Sequence, residues 1–278
     1  MPIQILVPLH TYPDGNAEGI ALHAAAVAQH LRGQVHALIL GAEFPRVSSP
    51  FGNLVVDVPT MISETKAKCH ARGNALAGAL KSTAAAAGVS FRATELSCYP
   101  YSVGDVVADH GHYHDLILAG LRPDDETLRI TAEAAIFGSG RPVLLVPESH
   151  PPHSLQQVTI AWDGSRVAAR AVADAREFLR RASSVTVATV VDEKRLPESA
   201  VEERLIAYLA SHGIQAEAAK LRSDGKAIAG RLQDFARERE AGLLVMGGFG
   251  HSRMRDFVLG GATRGILTDP KIPVLISH

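Results

Sequence analysis

The segment whose residue types and spacing could do chemistry runs Gly247-Gly248-Phe249-Gly250-His251-Ser252-Arg253-Met254-Arg255-Asp256-Phe257-Val258-Leu259-Gly260-Gly261-Ala262-Thr263. Glycines accept positive φ and let backbone N–H groups approach a ligand with no Cβ in the way. Successive N–H groups make an anion nest, and the N-terminus of a following helix adds partial positive charge. The chemistry implied is phosphate recognition. The run is not the dinucleotide fingerprint, which follows the first strand of a unit, nor a P-loop, because no Gly-Lys-Ser/Thr follows. Instead it follows the apolar run Leu243–Met246, a fourth strand. Asp163 is the second candidate. It ends the first strand of the same half, and a carboxylate there can accept hydrogen bonds from ribose hydroxyls. With strand order 3-2-1-4-5, Asp163 faces the glycine loop across the topological switch point, where ligands of open α/β sheets bind. Ser165 is expected to cap the next helix. The plainer readings are a tight turn for the loop, a turn residue for Asp163 and solvated charge for Arg253 and Arg255.

Other chemistry-bearing residues carry less. His110, His112 and His114 alternate, and alternate side chains of an extended segment share a face, so a metal site is one reading. Gly111 interrupts the run, and the matching stretch Arg237-Glu238-Arg239-Glu240 is charged, which favours a solvated connector. His23, His30, His36 and His70 are scattered and suggest no role. Cys69 and Cys98 read as small buried residues rather than a redox pair. Asp124 and Asp125 fit a loop or a helix N-terminus. The sequence offers no catalytic triad, paired carboxylates or metal-protease motif.

The elements that position these residues come as an internal repeat. Leu116–Gly120 matches Leu243–Gly247, Arg141–Val146 matches Ile272–Ile276, and Ile5–Pro8 matches Thr159–Trp162. Each run is short and unalternating, as strands buried on both faces of a parallel sheet are. Strands are predicted over 3–8, 34–40, 90–97, 115–120 and 142–147, then 157–162, 185–191, 214–221, 242–247 and 272–277. Helices are predicted over 17–31, 60–87, 102–111 and 126–137, then 165–181, 197–212, 224–239 and 255–268. Strict alternation implies two doubly wound five-stranded parallel-sheet α/β units in tandem, Rossmann-like and related by a pseudo-two-fold. The domains are expected at 1–150 and 151–278, joined by an exposed linker, Glu148–His153. The copies differ at the candidate site. Gly120 to Pro142 spans 22 positions and Gly247 to Pro273 spans 26, and the first copy has Leu9 or His10 where the second has Asp163. The first copy therefore reads as a degenerate site with a structural or regulatory role.

Gly247, Gly250 and Gly260 stand at the spacing found in the universal stress protein family: glycine, two residues, glycine, nine residues, glycine. With Asp163 and the Pro-Val-Leu-Ile last strand, the chain resembles a tandem member over nearly its whole length. The resemblance implies adenine nucleotide binding (ATP or AMP, with or without magnesium) in the second half. Asp163 would meet ribose or adenine, with the preceding backbone contact on Ala161 and the adenine side on Val190 or Val191. Phosphate contacts would fall on Gly247, Gly250, His251, Gly260, Gly261, Ala262 and Thr263. The family's usual serine after the last glycine is Gly261 here, which removes one hydroxyl hydrogen bond; Thr263 or the Gly261 N–H is expected to compensate. Trp162 stands where a smaller residue is usual, so it either narrows the pocket or packs in the core. The resemblance also implies that the two last strands pair antiparallel inside one chain, Val143–Val146 against Val274–Ser277, and it allows a homodimer.

Composition bounds the rest. A chain of 278 residues accommodates two ordinary domains. Lys+Arg 28 against Asp+Glu 29 gives a net charge of −1, which argues against general nucleic-acid or anionic-membrane binding. The N-terminal Met-Pro-Ile-Gln-Ile-Leu-Val reads as a strand rather than a signal peptide, and a cytoplasmic location is expected. The function expected is a cytoplasmic stress-response protein with a regulatory nucleotide and at most slow ATP hydrolysis. The alternative is a nucleotide-free scaffold for a protein or a small apolar ligand, with a pocket along the 60–87 helix as its mark.

Overall fold

A computed structural model of the chain describes residues 2–45, 57–192, 202–248 and 261–278. Its strands are β1 (Gln4–His10), β2 (Gln34–Ala42), β3 (Ser90–Cys98), β4 (Leu116–Leu121) and β5 (Val143–Pro147), then β6 (Gln157–Ala161), β7 (Ser184–Val190), β8 (Glu217–Leu221), β9 (Leu243–Gly247) and β10 (Val274–Ser277). The helices between them are α1 (Gly19–Leu31), α2 (Val58–Ala86), α3 (Val103–Gly111) and α4 (Glu126–Gly138) in the first unit. The second has α5 (Arg166–Asp174), α6 (Arg176–Arg181), α7 (Glu202–Ser211), α8 (Ile228–Glu238) and α9 (Gly261–Thr268).

All ten strands form one sheet in the order β3-β2-β1-β4-β5-β10-β9-β6-β7-β8. Each half has the order 3-2-1-4-5 on which the placing of Asp163 depended. The halves meet at β5 and β10, which pair antiparallel through Val143↔Ile276, Leu144↔Leu275 and Leu145↔Val274. Every other pair is parallel. The seam strands are buried along their full length, whereas the edge strands β3 and β8 are largely exposed. That gradient is why the central runs are continuously apolar and the edge strands are not.

Two hydrophobic cores cover the two faces, and each crosses the seam. One joins α1 and α2 to α5, α6 and α7 through Leu144 and Leu275. The other joins α3 and α4 to α8 and α9 through Val143, Leu145, Val274 and Ile276. Stacking of His30 on Phe178 at 5.9 Å and an edge contact of Phe137 with His278 at 5.0 Å add cross-unit contacts.

The structure corrects several expectations. The helix expected over 165–181 is two helices, broken at Ala175, whose φ and ψ of −78° and 0° stop the ladder. The eighth strand starts at Glu217 rather than 214. The linker is not exposed throughout: Glu148 is 4% exposed, and buried His23 brings Nε2 to the carbonyls of Pro147 and His150 at 3.1 and 2.9 Å. The helix α4 ends at Gly138, and Gly140 follows at φ 63°. Cys69 and Cys98 are free thiols, the first buried.

Because the seam is buried on both faces, the two units should unfold together. Leu275→Ala should lower stability by about 2–5 kcal/mol and shift a single urea transition, followed by circular dichroism. Two separate transitions in the wild type would contradict the continuous cores.

Candidate functional site

In the second unit β6 lies between β7 and β9, so the switch point falls at the carboxyl ends of β6 and β9. Register sets which residues meet there. Ala161 pairs with Ala188, and Ile160 with Val245, so Ala161 and Asp163 emerge beside the end of β9 at Met246 and Gly247. Val190 ends β7, and the Val191 N–H donates to Leu221 O at 3.0 Å with its side chain 40% exposed. These positions share one end of the sheet because parallel strands deliver their carboxyl ends together.

Asp163 and Ser165 form the turn into α5. Asp163 Oδ1 accepts from the Ser165 N–H at 3.0 Å, Gly164 takes φ 71°, and Ser165 Oγ accepts from the Ala168 N–H at 3.2 Å as the expected N-cap. Asp163 therefore orders its own turn at the switch point. Gly247 is a glycine for packing. A Cβ there would come within 2.5 Å of the Ala168 N and 2.6 Å of the Val167 carbonyl carbon, so α5 crosses β9 directly. Gly248 donates to Ser277 O at 2.8 Å, and a Cβ there would press on Ile276.

Gly261 opens α9 with no described residue within 4 Å of a Cβ position, while Thr263 is 2% exposed. In the first turn of α9, Gly261 is thus exposed and Thr263 buried. Ala262 is half-buried between them. Gly250, His251 and Gly260, with Arg253 and Arg255, lie outside the described residues. Trp162 packs on the core from its half-buried position, which decides between its two readings. Its Nε1 and the Oγ1 of Thr189, one step past Ala161↔Ala188, are buried with no hydrogen-bond partner among the described residues. Spacing alone could not single out these two polar atoms.

The first unit's equivalent end differs. Arg122, Arg72, Asp14, Asn16 and Glu18 line a cleft of about 500 Å³ between the β1–α1 loop and α2, with Ala75 and Leu76 as its apolar wall. This is a charged cleft, not the apolar pocket that a lipophilic ligand along the long helix would need. His10 is buried there, and burial lowers it to about 4. Asp125, beside it in space, caps α4 by accepting from the Leu128 N–H at 3.1 Å.

The alternating histidines do not converge. His110 Nδ1 meets Val106 O at 2.9 Å and His112 Nε2 meets Gly138 O at 3.0 Å. His114 is the exception to a solvated connector. It is 5% exposed, with Nδ1 on His110 O at 2.8 Å and Nε2 on His36 Nδ1 at 2.9 Å. His36 Nε2 meets Thr94 Oγ1 at 2.9 Å, and Arg92 stands 3.4 Å from His114. Among the described residues no group of three or more His, Cys, Asp or Glu could hold a metal. No helix of the described residues is long and apolar enough to cross a membrane.

Residues 155–278 match the sequence profile of the universal stress protein family. Over the whole chain the structure is similar to a universal stress protein from Archaeoglobus fulgidus DSM 4304, with a TM-score of 0.71 and 17% identity, covering 99% of this chain and 96% of that one. It is also similar to a functionally unknown protein from Pseudomonas aeruginosa PAO1, with a TM-score of 0.55 and 16% identity, covering 98% and 92%. At these identities the likeness establishes the fold. No curated protein matches the chain.

The His36–His114 pair makes stability depend on pH. Burial, then Arg92, lowers His36 to about 4, and burial lowers His114 as well. The unfolded chain, with histidine near 6.5, then binds protons first on acidification. Stability is full above about pH 6.5 and is lost as pH falls towards about 4. His36→Gln should reduce the loss between pH 7.5 and 5 by roughly 1–2 kcal/mol, measured by urea unfolding at both pH values.

Proposed function

We propose, since residues 155–278 match the universal stress protein family, that this chain is a cytoplasmic stress-response protein that holds an adenine nucleotide in its second unit as a regulatory ligand. The unit of residues 1–150 would be its structural partner and that of residues 151–278 its nucleotide-binding domain. The observation that carries the reading is the start of α9 at the exposed Gly261, in the unit whose switch point bears Asp163. A helix that starts directly after a glycine-rich run suits a polyphosphate, because the N–H groups of a helix's first turn and the helix dipole both favour anions.

Asp163 would accept from ribose hydroxyls, and Ala161 with Val190 or Val191 would offer backbone groups to adenine. Gly247, Gly250, His251, Gly260, Gly261, Ala262 and the Thr263 N–H would surround the phosphates. Magnesium would arrive with the phosphates, since no described cluster of carboxylates or imidazoles suits it. The nucleotide would bias the protein between conformations that differ in affinity for it. With no water-activating base assigned, hydrolysis would be slow at most.

Calorimetric titration with ATP, with and without magnesium, tests the reading. Wild-type protein should bind, and Gly250→Val should not. Gly261→Ser restores the family's hydroxyl at a position with room for a side chain, so it should bind about ten- to a hundredfold more tightly. Gly261→Asp should keep the fold yet repel phosphate. Trp162, the single tryptophan, gives an independent fluorescence signal beside Asp163. No heat and no fluorescence change at millimolar ATP would overturn the proposal.

A further inference from the structure

We infer that Glu148 is the first unit's own anionic ligand: its carboxylate satisfies the donors gathered at the switch point of β1 and β4, so that this unit is self-occupied and the start of the linker is fixed. The Glu148 side chain has no exposed surface. Its Oε2 accepts from the Ala17 N–H at 2.8 Å, just ahead of α1, and its Oε1 accepts from Asn16 Nδ2. Arg122 Nε stands 3.8 Å from Oε2. An amide, a leading backbone N–H and a guanidinium are the donors that a bound carboxylate or phosphate would use.

The surroundings are built to receive it. Gly120, the counterpart of Gly247, is a glycine because a Cβ there would overlap Glu148 Oε1. Gly19, at the start of α1, is a glycine because a Cβ there would overlap the Glu148 carbonyl oxygen. In the second unit α5 lies directly on Gly247, whereas in the first the Glu148 side chain is interposed between β4 and α1. Asn16 is locked in turn. Its N–H donates to His10 O at 3.2 Å, and its Oδ1 accepts from the His10 N–H at 2.5 Å. Arg122 is held by Asp125 at 2.5 Å. Asn16 and Arg122 also line the 500 Å³ cleft, which gives a small anion a route to the position if Glu148 is removed. This inference concerns the first unit and does not rest on nucleotide binding in the second.

The test is chemical rescue on the full chain. Glu148→Ala should melt roughly 5 °C or more below wild type. Sodium acetate should restore at least half of that loss saturably, while sodium chloride at equal ionic strength should not. Wild-type protein should show no acetate response beyond that of chloride. Glu148→Gln keeps the volume but turns an NH₂ towards one of the two N–H donors, so it should also melt lower, and it decides the matter if Glu148→Ala does not fold. The inference is overturned if Glu148→Gln melts as wild type does, or if acetate acts on Glu148→Ala no more than chloride.

Discussion

Three residue pairs across β5 and β10 hold the two halves in register. Because those strands are buried on both faces, a change at Val143, Leu144 or Leu145 is felt in helices of both units. The seam therefore does more than join two domains. It turns two five-stranded sheets into one ten-stranded sheet whose cores have no boundary at the linker, and it places α4 of one unit against the end of β10 in the other.

The fold was legible because fully buried parallel strands leave a strong trace in sequence. Leu116–Gly120 and Leu243–Gly247 share an apolar run that starts with leucine and ends in glycine, and their alternation with helices marks them as strands of a parallel sheet. What the pattern missed were local backbone events and edge strands. Ala175 breaks a helix that periodicity reads as continuous, since alanine carries no stop signal. The polar-faced β8, exposed at the sheet edge, has too little apolar contrast to mark its start.

The site was legible where it depends on backbone chemistry. Gly247 stands out by type and spacing, and Gly261 as the glycine where a serine is usual; in the structure Gly247 admits α5, whereas Gly261 is exposed at the start of α9. The groups at the first unit's switch point were not legible. Glu148 and Asn16 lie more than a hundred residues apart, and a glutamate at the head of a proline-rich linker looks solvated. Burial pushes its carboxyl above the ordinary range, opposed by the Ala17 N–H, Asn16 and Arg122. Only the fold brings those donors to it. His114 was hidden in the same way, since its partner His36 belongs to another strand.

The antiparallel sense of the seam has a geometric consequence. Strands of the first unit point one way along the sheet and strands of the second point the other, so their carboxyl ends emerge at opposite poles. One pole carries the Glu148 carboxylate of the chain itself, and the other carries Asp163 and Gly247. The strands between them are about 17 Å long, so no small molecule can touch both. Any influence of one pole on the other has to pass lengthwise through the sheet as a shift of strands or helices. A partner that reads one pole is blind to the other. Copies of the chain meeting end to end would present either two like poles or two unlike ones, which gives the molecule a direction that its near-symmetric fold conceals.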